Sequence, residues 1–198
     1  MTVQLFKWLM ALVIVTFLPV ILQSCKKNQG KSEAYNKAHT IVYIGQRVGN
    51  IFTEVADCYN RVDSVSYTGA TRVSDLDKKF CSEDWNKTLE AVREAERENS
   101  TDNFFHGFDY WIGETNNGHI SVSDISVDYD EVQRGDTASV TLLEHNGEAF
   151  LPIQLHMVYE KNDWYIDELT YDWGCVLGEI TSVKHEMRSF LETTRQPD

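Results

Sequence analysis

The sequence predicts an α+β fold, in which helices cover one face of an antiparallel sheet. In the first half of the chain, apolar residues recur at steps of three and four residues, which is the period of a helix. In the second half they recur at steps of two, and turn-forming residues separate these segments. Helices followed by a run of strands is the element order of an α+β domain.

The N-terminus has the composition of an export signal. Lys7 is followed by an uncharged, mostly apolar run from Trp8 to Leu22. A membrane-spanning helix needs about 20 apolar residues, whereas the apolar region of an export signal has about 7 to 15. We therefore expect residues 1–24 to be a signal peptide that is removed. In the alternative interpretation residues 8–24 remain as an uncleaved anchor, which Pro19 disfavours because it interrupts the helix.

The tetrapeptide Leu22-Gln23-Ser24-Cys25 resembles the lipobox of bacterial lipoproteins, with an apolar residue three positions before the cysteine and a small residue directly before it. This resemblance implies that Cys25 becomes the first residue and carries several acyl chains, which together form a stable membrane anchor. Lys26, and not the aspartate that retains some lipoproteins in the inner membrane, follows the cysteine. The resemblance therefore implies the outer membrane of a Gram-negative bacterium, with the domain in the periplasm.

The remaining chain divides into a polar tether, residues 25–31 with the lipidated cysteine, and one domain, residues 32–198. Cleavage takes away Lys7 alone among the charged residues, so the mature chain has 174 residues, 17 of them basic and 31 acidic, and a net charge of −14. A surface this acidic repels nucleic acid and anionic lipid. In the alternative interpretation, the acidic surface only keeps the protein soluble.

Besides Cys25 the mature chain contains Cys58, Cys81 and Cys175. Export would place them where disulfides persist. No Cys-x-x-Cys spacing is present, which argues against a redox motif and a zinc site. Cys58 closes the first predicted helix and Cys81 opens the second, so an antiparallel pair of helices would bring them together. If a bridge forms, we favour Cys58 with Cys81.

Two helices are predicted before the strands. The first runs from about Ser32 to Tyr59. The second starts after Ser82 and ends near Asn99. The Ser82 hydroxyl can cap the helix, and the two acidic residues that follow it interact favourably with the helix dipole. Its inward stripe is Trp85, Leu89 and Val92.

A meander of at least four strands is predicted next. The alternating segments are residues 125–129, 140–142, 151–159 and 164–166. The turns between them are residues 134–136, 145–147 and 161–163. Beyond Gly174 a helical spacing returns and predicts a C-terminal helix, with Ile180, Val183, Met187 and Phe190 in register.

Three segments together resemble the uncharacterised secreted bacterial lipoproteins with a nuclear transport factor two-like, or cystatin-like, domain. They are Leu76–Cys81 before a helix, the turn Phe108–Trp111, and the closing strand Trp164–Asp167. The resemblance spans about residues 32–172, and two features depart from it, the C-terminal helix and the long segment from Arg61 to Ser74. It implies a cone, in which helices pack on the concave face of a strongly bent sheet. Such cones serve as isomerases, dehydratases or cyclases, or as binding modules, so the fold does not decide the function.

An aromatic segment between the helices and the strands is the candidate pocket or partner surface. Its residues are Phe104, Phe105, His106, Tyr110 and Trp111. In the alternative interpretation these side chains simply cover the core.

Several ionisable residues are candidates for catalysis or metal binding. His106 and His119 have the titration range of a general base, although isolated histidines beside glycine turns are commonly surface residues. Asp167 and Glu168 are adjacent in a predicted strand and therefore point to opposite faces, so they cannot pair as acid and base. Calcium ligands are available in Asp124, Asp128, Asp130 and Glu131, which the apolar alternate positions instead place toward water.

The common signatures of hydrolases, metalloproteases and nucleotide-binding enzymes are absent from the sequence. This absence argues only against those common enzyme classes. We expect no cofactor and no metal. Because no complete catalytic constellation can be assembled, and because a charge of −14 and a tether suit a cation-rich partner, we expect a non-enzymatic binding or inhibitor module for a basic protein or a cell-envelope ligand. The alternative is a small-molecule enzyme with its site inside the cone. A cone filled by Trp85, Leu155 and Trp164 would favour binding, and an open cavity with a carboxylate or histidine at its base would favour the enzyme.

Overall fold

The computed structural model describes residues 33–60, 69–99, 104, 109–113, 119–132, 135–172 and 180–194. Contacts divide the chain into two units, residues 1–38 and 39–198. In the first unit residues 33–38 are helical. The predictions for residues 1–31, Phe105, His106 and Cys175 fall outside the described residues. None of the helices that the structure describes is long and apolar enough to cross a membrane.

The second unit opens with three helices. They are α1 (Ile41–Asn60), α2 (Gly69–Phe80) and α3 (Glu83–Asn99). Helix α1 begins later than predicted because the Thr40 hydroxyl accepts a hydrogen bond from the Tyr43 amide at 3.2 Å and caps a new helix there. Helix α3 begins as predicted, with the Ser82 hydroxyl accepting the Trp85 amide at 2.9 Å.

The strands that follow form one antiparallel sheet. They are β1 (Ile120–Val127), β2 (Thr137–Asn146), β3 (Ala149–Glu160), β4 (Asp163–Asp172) and β5 (Ile180–Ser182), in the spatial order β1-β2-β3-β4-β5. This arrangement confirms the α+β class and the predicted meander, and it is consistent with a cone-like fold. Ile180 was predicted to begin the last helix, but it pairs with Asp172 and forms β5. The C-terminal helix α5 (Val183–Thr194) follows directly.

Between β1 and β2 the chain departs from the predicted strand. Asp124 has a positive φ of 54° where the register of β1 shifts. Such a bulge protects an edge strand from pairing with another chain. The Asp128 carboxylate then accepts the Glu131 amide at 3.0 Å and caps the short helix α4 (Tyr129–Val132). Tyr129, predicted to point inward, is therefore 59% exposed.

The core lies between the helices and one face of the sheet. Helix α1 packs on β1, and α3 packs on β4 and on α5. Alternate residues of the strands point inward, as predicted; they include Val140, Leu142, Ile153, Leu155, Met157, Trp164 and Ile166. Burial of each large apolar side chain stabilises the fold by about 1.5 to 3 kcal/mol. Trp85, Leu155 and Trp164 are 0% exposed and belong to this core.

Candidate functional site

Asp77 of α2 carries a carboxylate that is buried in the interior, with 1% of the residue exposed. Its Oδ2 accepts a hydrogen bond from the Tyr110 hydroxyl at 2.6 Å, and its Oδ1 accepts one from Trp111 Nε1 at 3.1 Å. Arg93 Nη2 lies 3.9 Å from Oδ2. Burial raises the pKa of Asp77 to about 6, against the opposing effects of the Tyr110 and Trp111 hydrogen bonds and of Arg93. Both oxygens accept hydrogen bonds from Tyr110 and Trp111, which lie in the turn at residues 109–113, which we call the aromatic turn. This carboxylate is therefore part of the packing between α2 and that turn.

The aromatic turn is held from both sides. The Asp109 carboxylate accepts the Tyr59 hydroxyl at 2.5 Å and the Trp111 amide at 3.0 Å. Burial raises the pKa of Asp109, and the two hydrogen bonds oppose this rise. Tyr110 is 3% and Trp111 1% exposed. The prediction of a partner surface is thus wrong for these two residues, which cover the core as in the alternative interpretation.

Phe104 is half-buried, and its ring packs against Phe190 of α5 at 5.0 Å between centroids. It belongs to the same cover of the core. Phe105 and His106 lie outside the described residues, so their predicted role stays a prediction.

The structure contains no disulfide between Cys58 and Cys81, the bridge that the sequence favoured if one forms. Cys58 is half-buried on α1, whereas Cys81 is buried in the connection that runs beside β4. The Ser82 amide donates to the Ile166 carbonyl at 2.8 Å and holds this connection against the sheet. Burial raises the pKa of the Cys81 thiol, which makes it a packing residue and not a nucleophile.

Asp167 and Glu168 of β4 accept hydrogen bonds from Ser82 and Lys184. Asp167 Oδ1 accepts the Ser82 hydroxyl at 2.5 Å and Lys184 Nζ at 2.7 Å. Lys184 Nζ also lies 2.5 Å from Asp84 Oδ2, although its side chain is only 3% exposed. Glu168 Oε1 accepts the Lys184 amide at 2.9 Å. Both carboxylates are therefore committed to joining β4, α3 and α5.

The structure also brings together a serine and a histidine that the sequence did not reveal as a pair. Ser123 Oγ lies 2.8 Å from His145 Nε2, across the β1–β2 register. The Ser123 hydroxyl donates to Asp124 Oδ2 at 2.9 Å. A nucleophilic serine needs the carboxylate to orient the histidine. Here the Asp124 carboxylate accepts a hydrogen bond from the serine and does not orient the histidine. The three residues therefore form a chain of hydrogen bonds and not a catalytic triad.

Among the described residues, neither the acids considered as calcium ligands nor His119 forms a metal site. Asp124, Asp128 and Asp130 are exposed, as the alternation of apolar residues indicated, and His119 is exposed before β1. In the part of the chain that the structure describes, no three His, Cys, Asp or Glu side chains lie close enough together to hold a metal ion.

The surface contains an apolar groove between α1 and β1, which we call the α1–β1 groove. Its lining is Ile41, Val42, Gly45, Gln46, Ile125, Ser126 and Val127, and its volume is about 380 Å³. Val42 is 64% and Ile41 41% exposed. Asp124 and Asp128 directly flank the β1 part of the groove in the chain, and exposed Tyr129 follows. The lining itself is apolar or uncharged, and the two carboxylates adjoin it in the chain. The sequence did not indicate this groove.

Comparison of the chain with protein-family models, with curated proteins and with solved structures finds no match.

Proposed function

We propose that this protein is a lipid-anchored binding module of the cell envelope, without enzymatic activity, whose α1–β1 groove receives a basic segment of a partner protein. The observation that carries the proposal is the dense packing of large side chains in the described core. Trp85, Leu155 and Trp164 are fully buried at the centre of the fold. The internal carboxylate Asp77 has both oxygens hydrogen-bonded to core aromatics. Binding at the surface needs no internal cavity, whereas the enzyme alternative does.

The chemistry of the groove favours a basic, partly apolar occupant. Val42 and Tyr129 expose apolar area that a partner would bury. Asp124 and Asp128 add negative charge beside it, within a chain whose formal net charge is −13. Lysine and arginine on the partner would be attracted to these carboxylates, and their long stems suit an apolar floor.

The test compares groove variants of the full-length protein, purified in detergent and immobilised, for capture of envelope proteins at low and high salt. Asp124→Asn with Asp128→Asn removes two charges while keeping the backbone, because asparagine tolerates a positive φ and caps helices well. We expect the partner to be basic and its affinity to fall about tenfold, as loss of about 1.4 kcal/mol implies. High salt should weaken capture in the same direction.

Glu94→Gln with Glu98→Gln is the matched control, since both residues are exposed on α3 away from the groove. Binding by this variant should equal that of the wild type. A partner captured equally by groove and control variants would contradict the groove. A turnover in a substrate screen that disappears in Asp77→Asn would support the enzyme alternative instead.

Lipid anchoring has its own test. Cys25→Ala should leave the precursor unlipidated and uncleaved, because the thiol is the site of acylation in the lipoproteins that the sequence resembles. Intact-mass spectrometry of the membrane fraction measures this, with Cys58→Ala as a control that retains the lipid. A wild-type protein that carries no acyl mass and begins at another residue would exclude the anchor.

A further inference from the structure

A second cavity lies between α2, α3 and the β3–β4 turn, and the proposed function makes no use of it. Its volume is about 310 Å³. The lining residues are Lys78, Cys81, Glu83, Asn86, Lys87, Glu90, Arg93 and Lys161. Five of them follow each other at helical spacing along one face of α3, from Glu83 to Arg93. The face of a single helix therefore presents most of the cavity's polar groups.

The cavity is positive in a protein that is strongly negative. Four cations and two carboxylates line it, which leaves two positive charges in excess. Both carboxylates already have cationic partners, since Glu83 pairs with Lys161 at 3.0 Å and Glu90 with Arg97 at 3.3 Å. Lys78 and Lys87 form no ion pair within the ranges that the structure describes.

Hydrogen bonds and an ion pair connect the residues of the cavity wall to the rest of the fold. The two hydrogens of Asn86 Nδ2 are shared among the carbonyls of Asp77, Cys81 and Ser82, which lie 3.0, 3.1 and 2.9 Å away, and this ties α3 to the end of α2. Arg93 is anchored at the back, 3.9 Å from the buried Asp77 carboxylate, and its side chain remains 38% exposed. A preorganised guanidinium beside two ammonium groups suits an oxyanion, because charge-assisted hydrogen bonds from such a set lose little entropy on binding.

We infer that this cavity binds a phosphate monoester, either a small soluble ester or the headgroup of a lipid. Two positive charges in excess match a phosphate monoester, which carries about −1.5 to −2 at neutral pH. A volume of 310 Å³ is at the lower end for small-molecule sites, which are about 300 to 1,000 Å³, and suits a ligand the size of a headgroup. The inference goes beyond the proposed function and does not depend on it, since the α1–β1 groove shares no residue with the cavity.

The experiment is calorimetric titration of the full-length protein in detergent at pH 7.5. The probes are glycerol 3-phosphate for a soluble ester and dihexanoyl phosphatidic acid for a headgroup. Dihexanoyl phosphatidylcholine and succinate serve as controls for the acyl chains and for a carboxylate dianion. We expect one or both phosphomonoesters to bind, and the arm that binds more tightly identifies the source. Lys78→Gln with Lys87→Gln should raise the dissociation constant at least about tenfold.

Lys79→Gln with Arg188→Gln removes the same number of positive charges outside the cavity and should leave the dissociation constant unchanged. Binding that the cavity variant loses and this control retains supports the inference. Three results would overturn it: no binding of either phosphomonoester, equal loss in both double variants, or succinate bound as tightly as the phosphate probes.

Discussion

Replacement of Asp77 by asparagine is expected to remove a pH-dependent part of the free energy of unfolding that the wild type carries. Burial raises the pKa of Asp77 to about 6, from an ordinary value of 3.8. Between these values the folded protein binds a proton that the unfolded chain does not. Stability of the wild type therefore rises as the pH falls through this window, by about 1.4 kcal/mol for each pH unit.

The measurement is denaturant unfolding of the wild type and Asp77→Asn at pH 7 and pH 4.5. The difference in unfolding free energy between the two proteins should shift by about 2 kcal/mol in favour of the wild type at the lower pH. Asparagine keeps the shape of the side chain, and the Tyr110 hydroxyl can turn to accept its amide. Asp77→Ala should cost about 3 kcal/mol at pH 7, because it leaves the Tyr110 and Trp111 donors unpaired in the core. A difference that does not change with pH would show that Asp77 is ionised throughout.

Loss of the buried cation Lys184 should have the second large effect. Lys184 Nζ lies 2.7 Å from Asp167 and 2.5 Å from Asp84, and its side chain is 3% exposed. Lys184→Met keeps the apolar stem but leaves Asp167, which is 21% exposed, without its cation. Removal of one partner from a buried pair costs about 3 to 5 kcal/mol. We expect a loss near 3 kcal/mol, since Asp84 is largely exposed.

Arg188→Met is the matched control, because Arg188 binds the same Asp84 carboxylate at 2.7 Å but is 56% exposed. An exposed ion pair contributes less than about 1 kcal/mol. Denaturant unfolding of both variants at pH 7 gives the comparison. Equal losses in the two variants would mean that burial of Lys184 does not decide its contribution.

The parts of the fold that the sequence predicted are those with a local signal. Ser82 with two acids behind it specified the start of α3, and the alternation from Leu151 to Tyr159 specified β3. Local signals were also present where the predictions failed. Asp128 with Glu131 three residues later is the pattern of a capped helix, which α4 confirms, and Leu76 with Phe80 has the spacing of one face of α2.

The candidate sites were predicted less well because they depend on contacts between distant residues. Asp77 contacts Trp111, which is 34 positions away, and nothing in a charged segment such as Asp77-Lys78-Lys79 indicates that its first residue is buried. The positive cavity needs α2, α3 and the turn at Lys161 to meet. The negative net charge instead predicted a surface that repels anions. Net charge is a sum over the whole chain, so it does not show where cations cluster.

The buried tryptophans also bear on how the protein could change during evolution. A pocket opened at Trp85 or Trp164 would cost stability, since truncation of a buried tryptophan costs about 3 to 5 kcal/mol. That is a large part of the stability of a typical domain. A surface groove can change its lining at far lower cost, since exposed substitutions alter stability by about 0.5 kcal/mol or less.

Site-specific photocrosslinking in cells tests the central claim most directly. A photoreactive amino acid at position 42, where the side chain is 64% exposed in the α1–β1 groove, is compared with the same group at the exposed control position Glu94. We predict a single adduct with a basic envelope protein at position 42, lost on combination with Asp124→Asn and Asp128→Asn, and no such adduct at position 94. Absence of an adduct at position 42, or the same adduct at both positions, would contradict the claim that this protein acts by binding through the groove.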